Sequence, residues 1–157
     1  MSNFLKLEFF FENPIVLSVI SSFVFAQVIK VAIAIASKSR KTMRDLLHTF
    51  FWKTGGMPSS HASLVSSLTT SIGIREGMSS NLFIVTLFFA LLVLRDAVGV
   101  RHSSGMQAKS LNSLGRKLFD KFSVDYTPVK EVQGHTVLEV LVGCFLGIFI
   151  AAGYAYL

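Results

Sequence analysis

An all-α fold is predicted for this chain: a polytopic membrane bundle of four spanning helices with amphipathic helices at its interface. Two observations carry the prediction. Of 157 residues, 52% are hydrophobic and only 15% charged, with fifteen Phe and a mean hydropathy of +0.59, which excludes a disordered or fibrous chain and is too apolar for an ordinary soluble domain. The few charges are also clustered, leaving four long segments almost without them.

The first such segment, Pro14 to Ala36, holds only Lys30, and the second, Pro58 to Ile74, holds no charge. The third, Met78 to Leu94, holds none, and the fourth, Thr136 to Leu157, holds only Glu139. At about 1.5 Å per residue such lengths match a hydrocarbon core about 30 Å thick. Spans are therefore expected near 14–36, 58–77, 78–98 and 136–157, within one integral membrane domain covering 1–157. The second span carries Ser63, Ser66, Ser67, Thr69, Thr70 and Ser71, hydroxyls that face lipid poorly, so it is expected inside the bundle, bonded to backbone or neighbours. The first segment reads as a retained helix rather than a cleaved leader: Lys6 is offset by Glu8 and Glu12, and Gln27 and Lys30 interrupt the apolar stretch.

Net charge is +6, and its placement selects a membrane surface over nucleic acid. The connections Ser37–Met57 and Arg95–His135 hold twelve of the fifteen Lys and Arg. With four spans they share one side, which the positive-inside rule makes cytoplasmic, as expected for a bacterial-type inner or plasma membrane. In the second connection Leu111, Leu114, Leu118 and Phe122 recur at helical spacing with Lys109, Arg116, Lys117 and Lys121 elsewhere around the turn, an amphipathic helix for the interface. Met43, Leu46, Leu47 and Phe50 suggest the same for Ser37–Phe51. Pro128 is expected to break the chain before the last element. Cys144 is the only cysteine, so no disulfide forms within one chain.

Chemistry concentrates where two spans begin on that side. Gly55-Gly56-Met57-Pro58-Ser59-Ser60-His61 is a flexible turn, a hydroxyl-rich helix start and a histidine in the first turn, and such a terminus offers free N–H groups and a positive dipole end to a phosphate. An ordinary capped helix with an incidental histidine has the same pattern. Gly134-His135-Thr136 leads to Glu139. His135 and Glu139, four apart, share a helix face, where the carboxylate can hold one imidazole nitrogen and leave the other as base or nucleophile. A solvated interfacial histidine and an i,i+4 metal-ligand pair are the alternatives. Lys30 inside a span is costly without a partner or a function, and Gln27 lies one turn earlier on its face.

These blocks, with Asp96-Ala97-Val98-Gly99-Val100-Arg101, Gly105-Met106-Gln107-Ala108 and Lys130-Glu131, resemble the type-2 phosphatidic acid phosphatase superfamily. The likeness is closest to its divergent branch of small membrane proteins and runs from about Ala26 to Gly147. It implies a metal-independent phosphatase without a cofactor, in which one histidine attacks phosphorus and a second protonates the leaving oxygen. By resemblance His135 is the nucleophile, Glu139 the orienting acid and His61, in Pro58-Ser59-Ser60-His61, the general acid. The superfamily's arginine six residues before the nucleophile is Val129 here, and Lys30 is followed after six residues by Ser37-Lys38 rather than Arg-Pro. Phosphate holding therefore falls to a choice among Lys30, Lys53, Arg95, Arg101 and Lys130, with Ser59, Ser60 and Asp96 beside them. Each cation has the alternative role of headgroup anchor or topology determinant, and Asp96 that of orienting His61 or binding Lys30. His102 echoes a rival third motif, but six residues separate it from Arg95 and Met106 stands where a carboxylate is needed.

The expected function is dephosphorylation of a membrane lipid phosphate, of phospholipid or polyprenyl type, at the cytoplasmic face. A non-enzymatic binder or transporter of a phosphorylated lipid, and a metal-dependent hydrolase using His61, His135 and Glu139, are the competing readings. Gly143 and Gly147 predict close helix contact within the bundle or across a dimer. A homodimer is the expectation, because four helices make a thin wall around a site.

Overall fold

The computed structural model describes residues 12–37, 42, 56–131 and 134–156. Lys53, His48 and most of the second amphipathic stretch, Ser37–Phe51, lie outside the described residues. What is described is all-helical, with no strand among the described residues.

Among the described residues five helices follow one another: α1 (Pro14–Ala36), α2 (Ser60–Glu76), α3 (Asn81–Val98), α4 (Val100–Phe122) and α5 (Val137–Tyr154). Their starts are chemically marked. Asn13 accepts from the Ile15 N–H at 2.9 Å ahead of Pro14, Ser59 caps α2, and Ser80 accepts from the Phe83 N–H at 3.2 Å. Thr136 and Glu139 form a reciprocal capping box on α5. Gly77 ends α2 at φ 85°, a conformation that favours glycine. Among the described residues three helical stretches, α1, the α3–α4 run and α5, are long and apolar enough to cross a bilayer.

The hydroxyl-rich helix α2 is the hub and touches α1, α3 and α5. Its polar groups turn inward as expected. Ser18 and Ser71 share a hydrogen bond of 2.7 Å, the Ser63 hydroxyl donates to the Ser22 carbonyl at 3.2 Å, and Thr69 donates to its own helix at Val65 and across to the Thr86 carbonyl at 3.2 Å. Serine, unlike leucine, lets two backbones approach while supplying its own partner. The opposite wall of α2 works by absence: a Cβ on Gly143 would collide with the Ser59 carbonyl, and one on Gly147 with the Ser63 carbonyl. This glycine pair is thus spent on the α2–α5 contact inside the bundle. The outer surface is apolar, with Val85, Phe88 and Leu92 of α3 and Phe145 and Phe149 of α5 exposed.

Beyond Gly99 the chain continues as α4, which among the helices touches α3 alone. It ends at Ser123, in the left-handed region at φ 55°. Residues 123–131 then return without helix, as Pro128 leads one to expect. Tyr126 packs on Gly115, Asn112 clamps both backbone groups of Val129 at 2.8 Å, and Gly134 lies against the His102 backbone. The helix and its return segment form an arm at the site end of the bundle.

Candidate active site

α2 and α5 run parallel and α1 runs antiparallel to both, which brings the last third of α1 to the first turns of the other two. Two backbone bonds fix the meeting: the Ser59 N–H donates to the Glu139 carbonyl at 2.9 Å, and the His135 N–H donates to the Ala97 carbonyl at 3.1 Å. Because Ser59 caps α2 while Glu139 opens α5, His61 and His135 are carried to the same end of the bundle. The close packing of Gly143 on Ser59 keeps them there.

His135 is buried, with 6% of its surface exposed. Its Nδ1 lies 3.2 Å from Glu139 Oε2, an oxygen that also accepts from the Thr136 N–H at 3.0 Å. With the carboxylate ionised, Nδ1–H is the donor and Nε2 keeps a lone pair. Burial pushes His135 below its ordinary value of 6.5. The hydrogen bond from Glu139 opposes that shift, Lys30 adds to it, and the charges of Glu139 and Arg101 act in turn up and down. The imidazole is therefore neutral near pH 7, the state a nucleophile needs.

His61 is exposed and lies within electrostatic reach of Arg101, Lys30 and His135. Lys30 is buried, and its Nζ donates to Ser60 Oγ at 3.1 Å. Arg101 is paired through Nε with Asp96 Oδ2 at 2.8 Å on the surface. That pairing is where Asp96 goes, rather than to His61 or Lys30. Four of the sequence-selected groups, His61, His135, Lys30 and Arg101, thus act on one another, with Glu139, Ser59 and Ser60 supporting them. Arg95 and Lys130 are exposed, and neither is among the charges that act on the two histidines. No cluster of three His, Cys, Asp or Glu side chains suited to a metal occurs among the described residues, and Glu139 Oε2 is already engaged by two donors.

A cleft of about 350 Å³ opens beside Glu139 and Thr136, walled by His102, Met106 and Lys109 of the arm. Sequence reading did not place these three there. Their register on α4 is legible, but the return of the arm to Gly134 is a long-range contact with no local signal.

Fold and site together define a helical membrane protein with a carboxylate-held histidine, a second histidine and two cations at one end of its bundle. The divergent PAP2 family model matches residues 11–150, and the chain belongs to that family. It is 36% identical over 152 residues to the uncharacterized membrane protein YuiD of Bacillus subtilis (strain 168), covering 89% of this chain and 92% of that protein. No solved structure matches.

Proposed function

We propose that the protein is a metal-independent phosphatase of a membrane lipid phosphate, of phospholipid or polyprenyl type, working through a phospho-histidine on the cytoplasmic side. The supporting observation is the convergence of His135, held by Glu139 at 3.2 Å, with His61, Lys30 and Arg101. In this reading Nε2 of His135 attacks phosphorus and the P–O ester bond breaks. Protonated His61 gives its proton to the leaving alkoxide, which departs as the lipid alcohol. Water then attacks the phospho-histidine, His61 takes the proton, and inorganic phosphate leaves. Lys30 and Arg101 face the charge that develops on the non-bridging oxygens. Arg101 stands in for the superfamily arginine, whose position is Val129 on the Asn112-clamped return segment.

Purified protein should release phosphate from lipid phosphates in EDTA, and His135→Ala should abolish both release and an acid-labile phosphoenzyme. Turnover that survives His135→Ala removes the covalent mechanism. Retained lipid-phosphate binding without any release supports the binder instead, since the same cations serve it, and loss of release on chelation supports the metal-dependent reading.

A further inference from the structure

The arm carries a second concavity, about 420 Å³, lined by Lys109, Asn112, Ser113, Arg116, Lys117 and Glu131. Three cations face one carboxylate there, and that carboxylate is already bonded to the Asn112 amide at 2.9 Å. The remaining charge is a positive field in a recess, with an Arg fork and two ammonium groups as donors. It shares Lys109 and Glu131 with the cleft beside Glu139.

Helix geometry decides what reaches it. At about 100° per residue, Leu111, Leu114, Leu118 and Phe122 fall on one stripe of α4, and all four are exposed. The recess residues of α4 lie on the opposite side. A helix resting its apolar stripe in the interface turns its far side to water. The recess therefore faces the aqueous phase and not the headgroup layer, and its volume holds about a dozen waters, more than one phosphate needs.

We propose that this recess is a binding site for a soluble phosphate-class oxyanion, separate from the histidine pair. Arg116 and Lys117 carry the charge, Lys109 links the recess to the cleft, and Ser113 lines it. The ligand is inorganic phosphate or the phosphoryl group of a water-soluble compound. The site stands whether or not the histidine pair turns over.

The test uses full-length protein in nanodiscs of zwitterionic lipid, with inorganic phosphate as the probe. In a Lys30→Met/His135→Ala background, which disables the histidine site, calorimetry should still detect phosphate binding, and adding Arg116→Gln/Lys117→Gln should weaken it by about tenfold or more. Equal affinity with and without that pair of changes overturns the proposal. Ser113→Cys in a Cys144→Ser background gives an independent readout if the double variant misfolds: a water-soluble thiol reagent should label it, and phosphate should protect it. Failure to label, or protection by anionic nanodiscs in place of phosphate, assigns the recess to lipid headgroups and overturns the aqueous assignment. Absent turnover with intact phosphate binding strikes the phosphatase reading alone.

Discussion

Replacing Glu139 by Gln tests the orienting carboxylate without changing its size. Oε2 accepts from His135 Nδ1 and from the Thr136 N–H. A glutamine oxygen can still cap the backbone, but it carries no charge and presents an NH2 that competes with Nδ1–H. A hydrogen bond to a charged group is worth about 1.5–3 kcal/mol, and at about 1.36 kcal/mol per decade the loss should lower kcat/KM between roughly ten- and a hundredfold. A second signature is the pH profile. Burial holds His135 below 6.5 while Glu139 pulls upward, so removing the carboxylate lowers the imidazole further. The neutral imidazole is the active form, lost as pH falls through its value in the folded protein. The acid limb of log(kcat/KM) should therefore lie below 6.5 in the native chain and move lower still in Glu139→Gln. Substrate ionisation cancels between the two. Thr136→Ala is the control: it removes the other half of the capping box, at a cost of about 0.5–2 kcal/mol in helix stability, without touching Nδ1. It should lower the melting temperature and leave the acid limb in place. An unshifted limb and undiminished kcat/KM in Glu139→Gln would refute the orienting role.

Gly143→Ala and Gly147→Ala should each destabilise by about 1–3 kcal/mol or more, because the new Cβ meets backbone carbonyls of α2, whereas Gly153→Ala, with nothing within 4 Å, should be neutral; thermal unfolding in detergent distinguishes them. Lys30→Met removes a buried ammonium that donates to Ser60, so it should abolish phosphate release in protein that still unfolds cooperatively, and a collapse of the fold would show that the lysine is structural. A cysteine at Gly56, in a Cys144→Ser background, should react with an impermeant thiol reagent only from the cytoplasmic side; reaction from outside intact cells inverts the topology.

Hydrophobic segmentation located α1, α2, α3 and α5 within a few residues, because freedom from charge and helix length are both local properties. The inward turn of α2 was legible for the same reason: hydroxyls at that density have few places to go in an apolar bundle. Which cation meets which histidine was not. Lys30, Arg95, Arg101 and Lys130 look equivalent in a charge count, and only the long-range packing of the helices puts Lys30 and Arg101, and not Arg95 or Lys130, among the charges that act on the two histidines. Asp96 illustrates the same limit. Its partner, Arg101, is five residues off, across the break at Gly99, a distance along the chain that helix periodicity alone does not pair.

The polar composition of α2, which looks like a defect in a spanning helix, is what allows the site to exist. A leucine-rich helix packs at the distance its side chains set, but serine against serine and serine against glycine bring α2 close to α1 and α5 at once. The approach of α2 and α5 runs from their starts, where the Ser59 N–H bonds to the Glu139 carbonyl, inward to Gly147. Two helix N-termini with their partial positive charge and the Lys30 ammonium are then brought to the end of the bundle that holds the His135–Glu139 pair and, on its surface, the Arg101–Asp96 ion pair. In the proposed function, these helix starts and cations are what the phosphate group meets. In the proposed function the serine and glycine seam therefore positions the binding groups. Substitutions deep in it, far from either histidine, should weaken phosphate binding by shifting the two helix starts apart, even where the bundle itself survives.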